Sequence, residues 1–179
     1  MAHELLTEPN ITHLYRHDVE SLFYIILLLG ARHEFVQVKD RANGETRQRI
    51  VMRKDELPYA EWFDQPNYAS LGKDKSHFFS NAMAIQLSPS FELLRPWLRV
   101  LRFKFSDGFL LKSGHKNRKE FFGDGVGPFD DETLEDRISY SSLIEPVRLL
   151  EKELKDLTIR YDPPKNPPSI SSTTDNADP

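Results

Sequence analysis

Leu22-Phe23-Tyr24-Ile25-Ile26-Leu27-Leu28-Leu29 is apolar on every helical face, so no rotation of a helix built from it turns polar side chains toward water. Such a segment belongs at the centre of a domain, buried all round. Asp18 stands just upstream with Ser21 three residues on, which suits a helix N-cap, and Gly30 offers a stop. These signals predict a central helix from about Asp18 to Gly30. A buried strand is the competing reading of so apolar a run. The leucine content and the flanking cap signals favour the helix.

Working outward, Phe35-Val36-Gln37-Val38 and Ile50-Val51-Met52 flank Asn43-Gly44, a dipeptide that tolerates the positive φ of a tight turn; a surface β-hairpin is expected. A helical pattern resumes from Ala69 to Ile85, with Phe78, Phe79, Ala82 and Met83 on one side. Ser88-Pro89-Ser90 supplies start signals for a further helix whose Phe91, Leu94, Leu98, Leu101 and Phe105 recur at steps of three and four. Pro96 must kink that helix or mark its first turn, because it has no N–H to donate. Ser106 to Pro128 is rich in glycine and charge and reads as loop. A last helix is expected from Thr133 to Leu157, split at Pro146, with Glu151 and Lys155 at a favourable four-residue spacing. Residues 161–179, rich in Pro and Ser and with no aromatic side chain after Tyr161, hold too little apolar surface to offset chain entropy and read as a disordered tail. No internal repeat is visible.

The chain has 179 residues, 39% hydrophobic and 29% charged, enough for one domain with its own core. A net charge of −4 excludes a blanket polycation for nucleic acid. The absence of cysteine excludes disulfides, thiolate metal ligands and thiol nucleophiles, and fits an intracellular setting, cytoplasmic or nuclear. The longest apolar run, Leu22 to Ala31, is shorter than the ~18 residues of a spanning helix, and Met1-Ala2-His3-Glu4 does not read as a signal peptide.

Two strings carry a family resemblance. Met1-Ala2-His3-Glu4-Leu5-Leu6 and Tyr15-Arg16-His17-Asp18-Val19-Glu20-Ser21-Leu22-Phe23-Tyr24 resemble the C-terminal lobe of the fungal-type protein kinases, a divergent branch of eukaryotic-like kinases. In that family a Met-Ala-x-Glu-Leu-Leu stretch replaces Ala-Pro-Glu, and His-Asp-Leu-Glu-Ser-x-Phe-Tyr opens the central helix F. Trp62, Ala69 and Lys73 to Lys75 match the Trp…Ala…Lys spacing that follows. The resemblance covers about Met1 to Phe79. It implies a mainly α, C-lobe-like domain over residues 1–160, around a buried helix F, with the hairpin as an insertion and no N-lobe. It further implies that Glu4 is the activation-segment anchor, paired with a later arginine for which Arg95, Arg99 and Arg102 are candidates. Asp18 would be the helix F aspartate that accepts N–H bonds from the catalytic loop, where the residues alone suggest only a helix cap. His17, Glu20, Ser21, Phe23, Tyr24, Trp62, Lys73 and Lys75 complete the family pattern.

Phosphoryl transfer needs a Gly-rich loop, a strand lysine, a catalytic-loop Asp with its Asn, and an Asp-Phe-Gly metal ligand. Arg16-His17-Asp18 transposes His-Arg-Asp, with Phe23 where the Asn would stand, and Asp107-Gly108-Phe109 is in the wrong order. Gly123-Asp124-Gly125-Val126-Gly127 leads to Pro128-Phe129-Asp130-Asp131 instead of a lysine and a helix, so it reads as flexible loop. His13 and His17 have a zinc-compatible spacing without a third ligand, and read as capping or solvated. The acidic run Asp130, Asp131, Glu132, Glu135 and Asp136 reads as a solvated face or a helix start.

From Arg95 to Lys119 eight basic residues, among them Arg95, Arg99, Arg102, Lys104 and Lys112, stand against the single acid Asp107. Such a patch suits anions, but pairing with the acidic run is favoured, since aromatic residues are not interleaved as nucleic-acid binding requires. The sequence therefore leads to a truncated fungal-type kinase lobe. The family is an ATP- and Mg-dependent Ser/Thr phosphotransferase; this chain is expected to have no catalytic residue, cofactor or metal. The alternative is a non-catalytic protein-interaction module. On either reading no membrane partner is expected, and removal of the covering elements should expose some of Leu22, Phe23, Ile26 and Leu29 to a protein partner or to self-association.

Overall fold

A computed structural model describes residues 1–155 apart from 9, 40–43, 55–56 and 82–83. The tail at 161–179, Asn43 at the hairpin turn, Ala82, Met83 and Leu157 lie outside the described residues. The fold is mainly helical with one two-stranded antiparallel sheet. The helices are α1 (His3–Thr7), α2 (Tyr15–Arg32), α3 (Tyr68–Ser80), α4 (Arg95–Phe122) and α5 (Tyr140–Lys155); strands β1 (His33–Lys39) and β2 (Thr46–Met52) follow α2. The strands pair antiparallel, as the hairpin reading expects, but Phe35 stands opposite Ile50 where a two-residue Asn43-Gly44 turn would set it opposite Met52; Gly44 adopts φ 70°.

The central helix is longer than its cap signals suggested. It begins at Tyr15, where the N–H of Leu14 donates to His17 Nδ1 at 3.1 Å, so Asp18 lies inside the first turn and is not the N-cap. It passes Gly30 without stopping. A Cβ at Gly30 would come within 3.0 Å of Leu87 and 3.3 Å of Phe91, so this glycine serves the close crossing of the 87–91 segment, where Ser88 N–H donates to the Gly30 carbonyl.

Only half of α2 is covered. Val19, Phe23, Tyr24, Leu27 and Ala31 face the core, where Phe23 meets Phe78 and Phe79 of α3 and Phe105 of α4 with ring centroids 5.7–6.2 Å apart. On the opposite side Leu22, Ile25 and Leu29 are 52%, 62% and 39% exposed, and Tyr15 38%. Burial all round is therefore corrected: α3 and α4 pack on one side of α2, and on the other Leu22 and Ile25 stay more than half exposed. Of the four residues expected at a bared face, Leu22 and Leu29 are exposed, Ile26 is half-buried, and Phe23 is wholly buried.

Helix α4 corrects the loop expected over Ser106–Pro128. A 3-10 turn at Pro89–Leu94 leads into α4, with Pro96 in its first turn, and the helix then runs unbroken to Phe122. Gly108 reads as a breaker in sequence, but its missing side chain is a packing feature. A Cβ there would stand 2.8 Å from the fully buried Leu134. Residues 131–138 form turns with positive φ at Leu134, Glu135 and Asp136 in place of the expected helical start. Ser139 and Ser142 then exchange backbone-to-hydroxyl bonds at the head of α5. Helix α5 continues through Pro146 and is not split there. Among the described residues no helix is long and apolar enough to cross a membrane.

Candidate functional site

The residues of the His17–Tyr24 string converge on the N-terminal segment. Glu4, on α1, is buried; its Oε2 lies 2.5 Å from Arg16 Nη1 and 3.4 Å from His17 Nε2, while Lys112 Nζ of α4 donates to Oε1 at 2.9 Å. Arg16 is wholly buried and extends the cluster to the 130–138 turns: its Nε donates to the Asp131 carbonyl at 2.6 Å and its Nη2 to Asp131 Oδ1 at 3.1 Å. Lys112 also reaches Asp131, at 3.0 Å. Glu132 Oε1 accepts the free N–H of Tyr15 at the start of α2. A charge this deeply buried is tolerable only with such partners, and Arg16 has two carboxylates.

Electrostatics follow the geometry. Burial alone would raise the Glu4 carboxyl, but the Lys112 and Arg16 cations outweigh it and hold it at about 2. His17 is pushed below its ordinary value by burial and by the Arg16 charge, against the pull of Glu4. Both of its ring nitrogens are engaged, Nδ1 by Leu14 and Nε2 by Glu4, and His13 instead sits 3.3 Å from Asp18. The two histidines therefore do not present a shared ligand pair.

A second clasp lies one turn along α2. Glu20 is fully buried and its Oε1 takes the backbone N–H of His3 at 2.8 Å, His3 Nδ1 at 2.9 Å and the Tyr24 hydroxyl at 3.0 Å. Burial, reinforced by the Glu20 charge, raises the Tyr24 phenol well above its usual range. Lys75 of α3 donates to the Met1 carbonyl at 2.8 Å and stands over the Tyr24 ring at 4.2 Å, with Trp62 packed edge-on against Tyr24. Burial lowers the Lys75 ammonium. Ser21 bonds back to the His17 carbonyl, and Lys73 is exposed.

The structure thus brings Glu4, His17, Glu20, Tyr24, Trp62 and Lys75 together and leaves Asp18 and Lys73 outside. Asp18 points to solvent, its side chain 72% exposed, with His13 as its ion-pair partner. The arginine beside Glu4 is Arg16, so the candidates Arg95, Arg99 and Arg102 are corrected. Arg95 is held by Glu92 at 2.6 Å, Arg99 is exposed, and Arg102 lies over the Phe78 ring. Along α4, Arg95, Arg99 and Arg102 share one face at spacings of four and three, and Lys104 stands on another. Lys112 pairs with the acidic run, as the charge pattern favoured. Arg16, Lys112, Asp131 and Glu132 were missed as a set; the available signal was an arginine beside an apolar run, which needs carboxylates wherever it is buried.

A cleft of about 1010 Å³ opens beside the first clasp, between α3, α4 and the 124–131 segment, with Phe79 and Phe109 among its walls and Lys112, Lys116 and Lys119 along α4. Glu4, Glu8, Asp124 and Asp131 also line it, so the lysines and carboxylates offset one another. Among the described residues no group of three or more His, Asp or Glu side chains is placed to hold a metal ion. No family model, curated protein or solved structure matches this chain.

Proposed function

We propose that this chain is a kinase-type helical lobe, related to the fungal-type protein kinases, that works by docking protein and not by transferring phosphate. The observation that supports this reading is the aliphatic stripe Leu22, Ile25 and Leu29, exposed on a helix whose opposite side carries the core. Aliphatic side chains on a single line, bare on the most apolar helix of the fold, gain free energy when another protein covers them. The ion-paired residues are committed to structure: Glu4, Arg16, Lys112 and Asp131 neutralise one another and tie α1, α2 and α4 to the 130–138 turns. A second reading, a piece of a catalytic kinase, is favoured by the burial of Glu4 and Glu20 within the motif; there the stripe would be covered by the rest of that kinase.

The test is a pair of measurements on the purified chain. Mg-ATP is expected to leave its melting temperature unchanged, and at sub-micromolar concentration an apolar dye is expected to bind and to be lost on Leu22→Lys with Leu29→Lys. Phosphate transfer to any protein, or no dye binding by the native chain, overturns the proposal.

A further inference from the structure

We propose that the occupant of the α2 stripe is a second copy of this chain, lying antiparallel about a two-fold axis that passes between Leu22 and Ile25. The inference rests on the docking reading above and deepens it. The outer line of α2 runs through the exposed Tyr15, Asp18, Leu22, Ile25 and Leu29 to the half-buried Arg32, with steps of three, four, three, four and three. That alternation keeps one straight seam facing a partner helix, the requirement for two helices to pack along their length. The seam is apolar in the middle and charged at its ends. Its first end carries Asp18, largely exposed, with only the His13 ring beside it.

Its last end carries Arg32, whose guanidinium lies 4.4 Å above the Phe63 ring and which meets no carboxylate among the described residues. Arg32 Nε is buried without a hydrogen-bond partner. Such an arginine lacks the anion that its charge requires. A parallel pair would set Asp18 against Asp18 and Arg32 against Arg32. An antiparallel pair stacks Leu22 on Ile25 twice across the axis and brings Asp18 of each copy within one helical turn of Arg32 of the other, with the helix dipoles opposed. Self-complementarity of this kind is the mark of an isologous two-fold contact.

Sedimentation equilibrium on the full chain, over a concentration series, is expected to show a monomer–dimer equilibrium, with dye binding per chain falling as the dimer fills. Ile25→Lys, at a solvent-facing position, should leave the melting temperature of the monomer unchanged and weaken the dimer by about tenfold or more, because each substitution acts twice across the axis. Asp18→Arg alone should weaken the dimer, and Asp18→Arg with Arg32→Asp should restore it. The cysteine-free background permits a test of direction. Leu22→Cys mixed with Ile25→Cys should form the mixed disulfide faster than either variant forms its own. A dimer indifferent to Ile25→Lys, or faster disulfide formation within each variant, overturns the antiparallel pairing. A chain that stays monomeric yet binds dye overturns self-pairing while leaving the docking reading in place; a monomer that binds no dye overturns both.

Discussion

At the scale of single residues, Arg16 and Asp18 sit two positions apart and have opposite fates. Arg16 is wholly enclosed between Glu4 and Asp131, so Arg16→Met removes one partner from a buried pair and leaves Glu4 with Lys112 as its charged partner and the His17 ring at 3.4 Å. Loss of about 3–5 kcal/mol is expected in urea unfolding, whereas Asp18→Ala, at an exposed pair with His13, should cost under about 1 kcal/mol. Glu4 also sets an acid limit. Its carboxyl titrates at about 2 when folded against 4.5 when free, so the unfolded chain binds the extra proton between these values and stability falls as pH drops through that window. The Glu4 contribution is fully present above 4.5 and amounts to about 3 kcal/mol. His17, lowered from 6.5, acts in the same direction from a higher pH, since protonating it in the folded state is disfavoured. Melting temperature against pH should therefore decline below 6.5 and more steeply below 4.5, and Glu4→Gln should flatten the lower limb. The sequence pointed to Glu4 as an anchor through family resemblance, but not to its arginine. The candidates were sought downstream, while the partner lies six residues before the apolar run, next to the motif itself.

At the scale of elements, the short helix α1 is held by proximity more than by length. A Cβ at Gly72 of α3 would meet Thr7 Cγ2 at 2.6 Å and the His3 carbonyl oxygen at 3.0 Å, and a backbone atom cannot turn aside as a side chain can. Gly72→Ala is expected to cost about 1–3 kcal/mol by overpacking and to raise amide exchange over His3–Thr7 before any other element. The hairpin and α2 were legible because apolar runs and Asn-Gly signals act locally. Helix α4 was not legible beyond Ser106: its glycines mimic breakers, and only Leu134, arriving from later in the chain, shows that Gly108 is glycine for packing. The same tertiary origin hid the turns at 131–138, whose three consecutive positive φ values begin at the buried Leu134.

At the scale of the whole molecule, the hairpin is an appendage. It is fastened near its base, where Ser88 Oγ bonds the His33 carbonyl, Ser90 Oγ accepts the Phe35 N–H, and Phe35 stacks on Phe91 with centroids 5.1 Å apart. Joining Gln37 directly to Gln48 through an Asn-Gly turn should keep a single cooperative melt and shift stability by less than about 1 kcal/mol, as for surface changes away from the core. The Arg16 clasp has the opposite reach, because its second carboxylate lies 115 residues later in the chain. During synthesis α2 emerges with a cation that must be buried for the helix to seat, 115 residues before Asp131 is made. At about 5–20 residues per second, translation leaves that interval open for roughly 6–23 s. Stalled nascent chains ending before Asp131 should therefore be cut by protease within α2, and chains long enough to clear Asp131 from the ribosome should resist. On the nascent chain α2 is thus the segment expected to hold escorts until Asp131 has emerged.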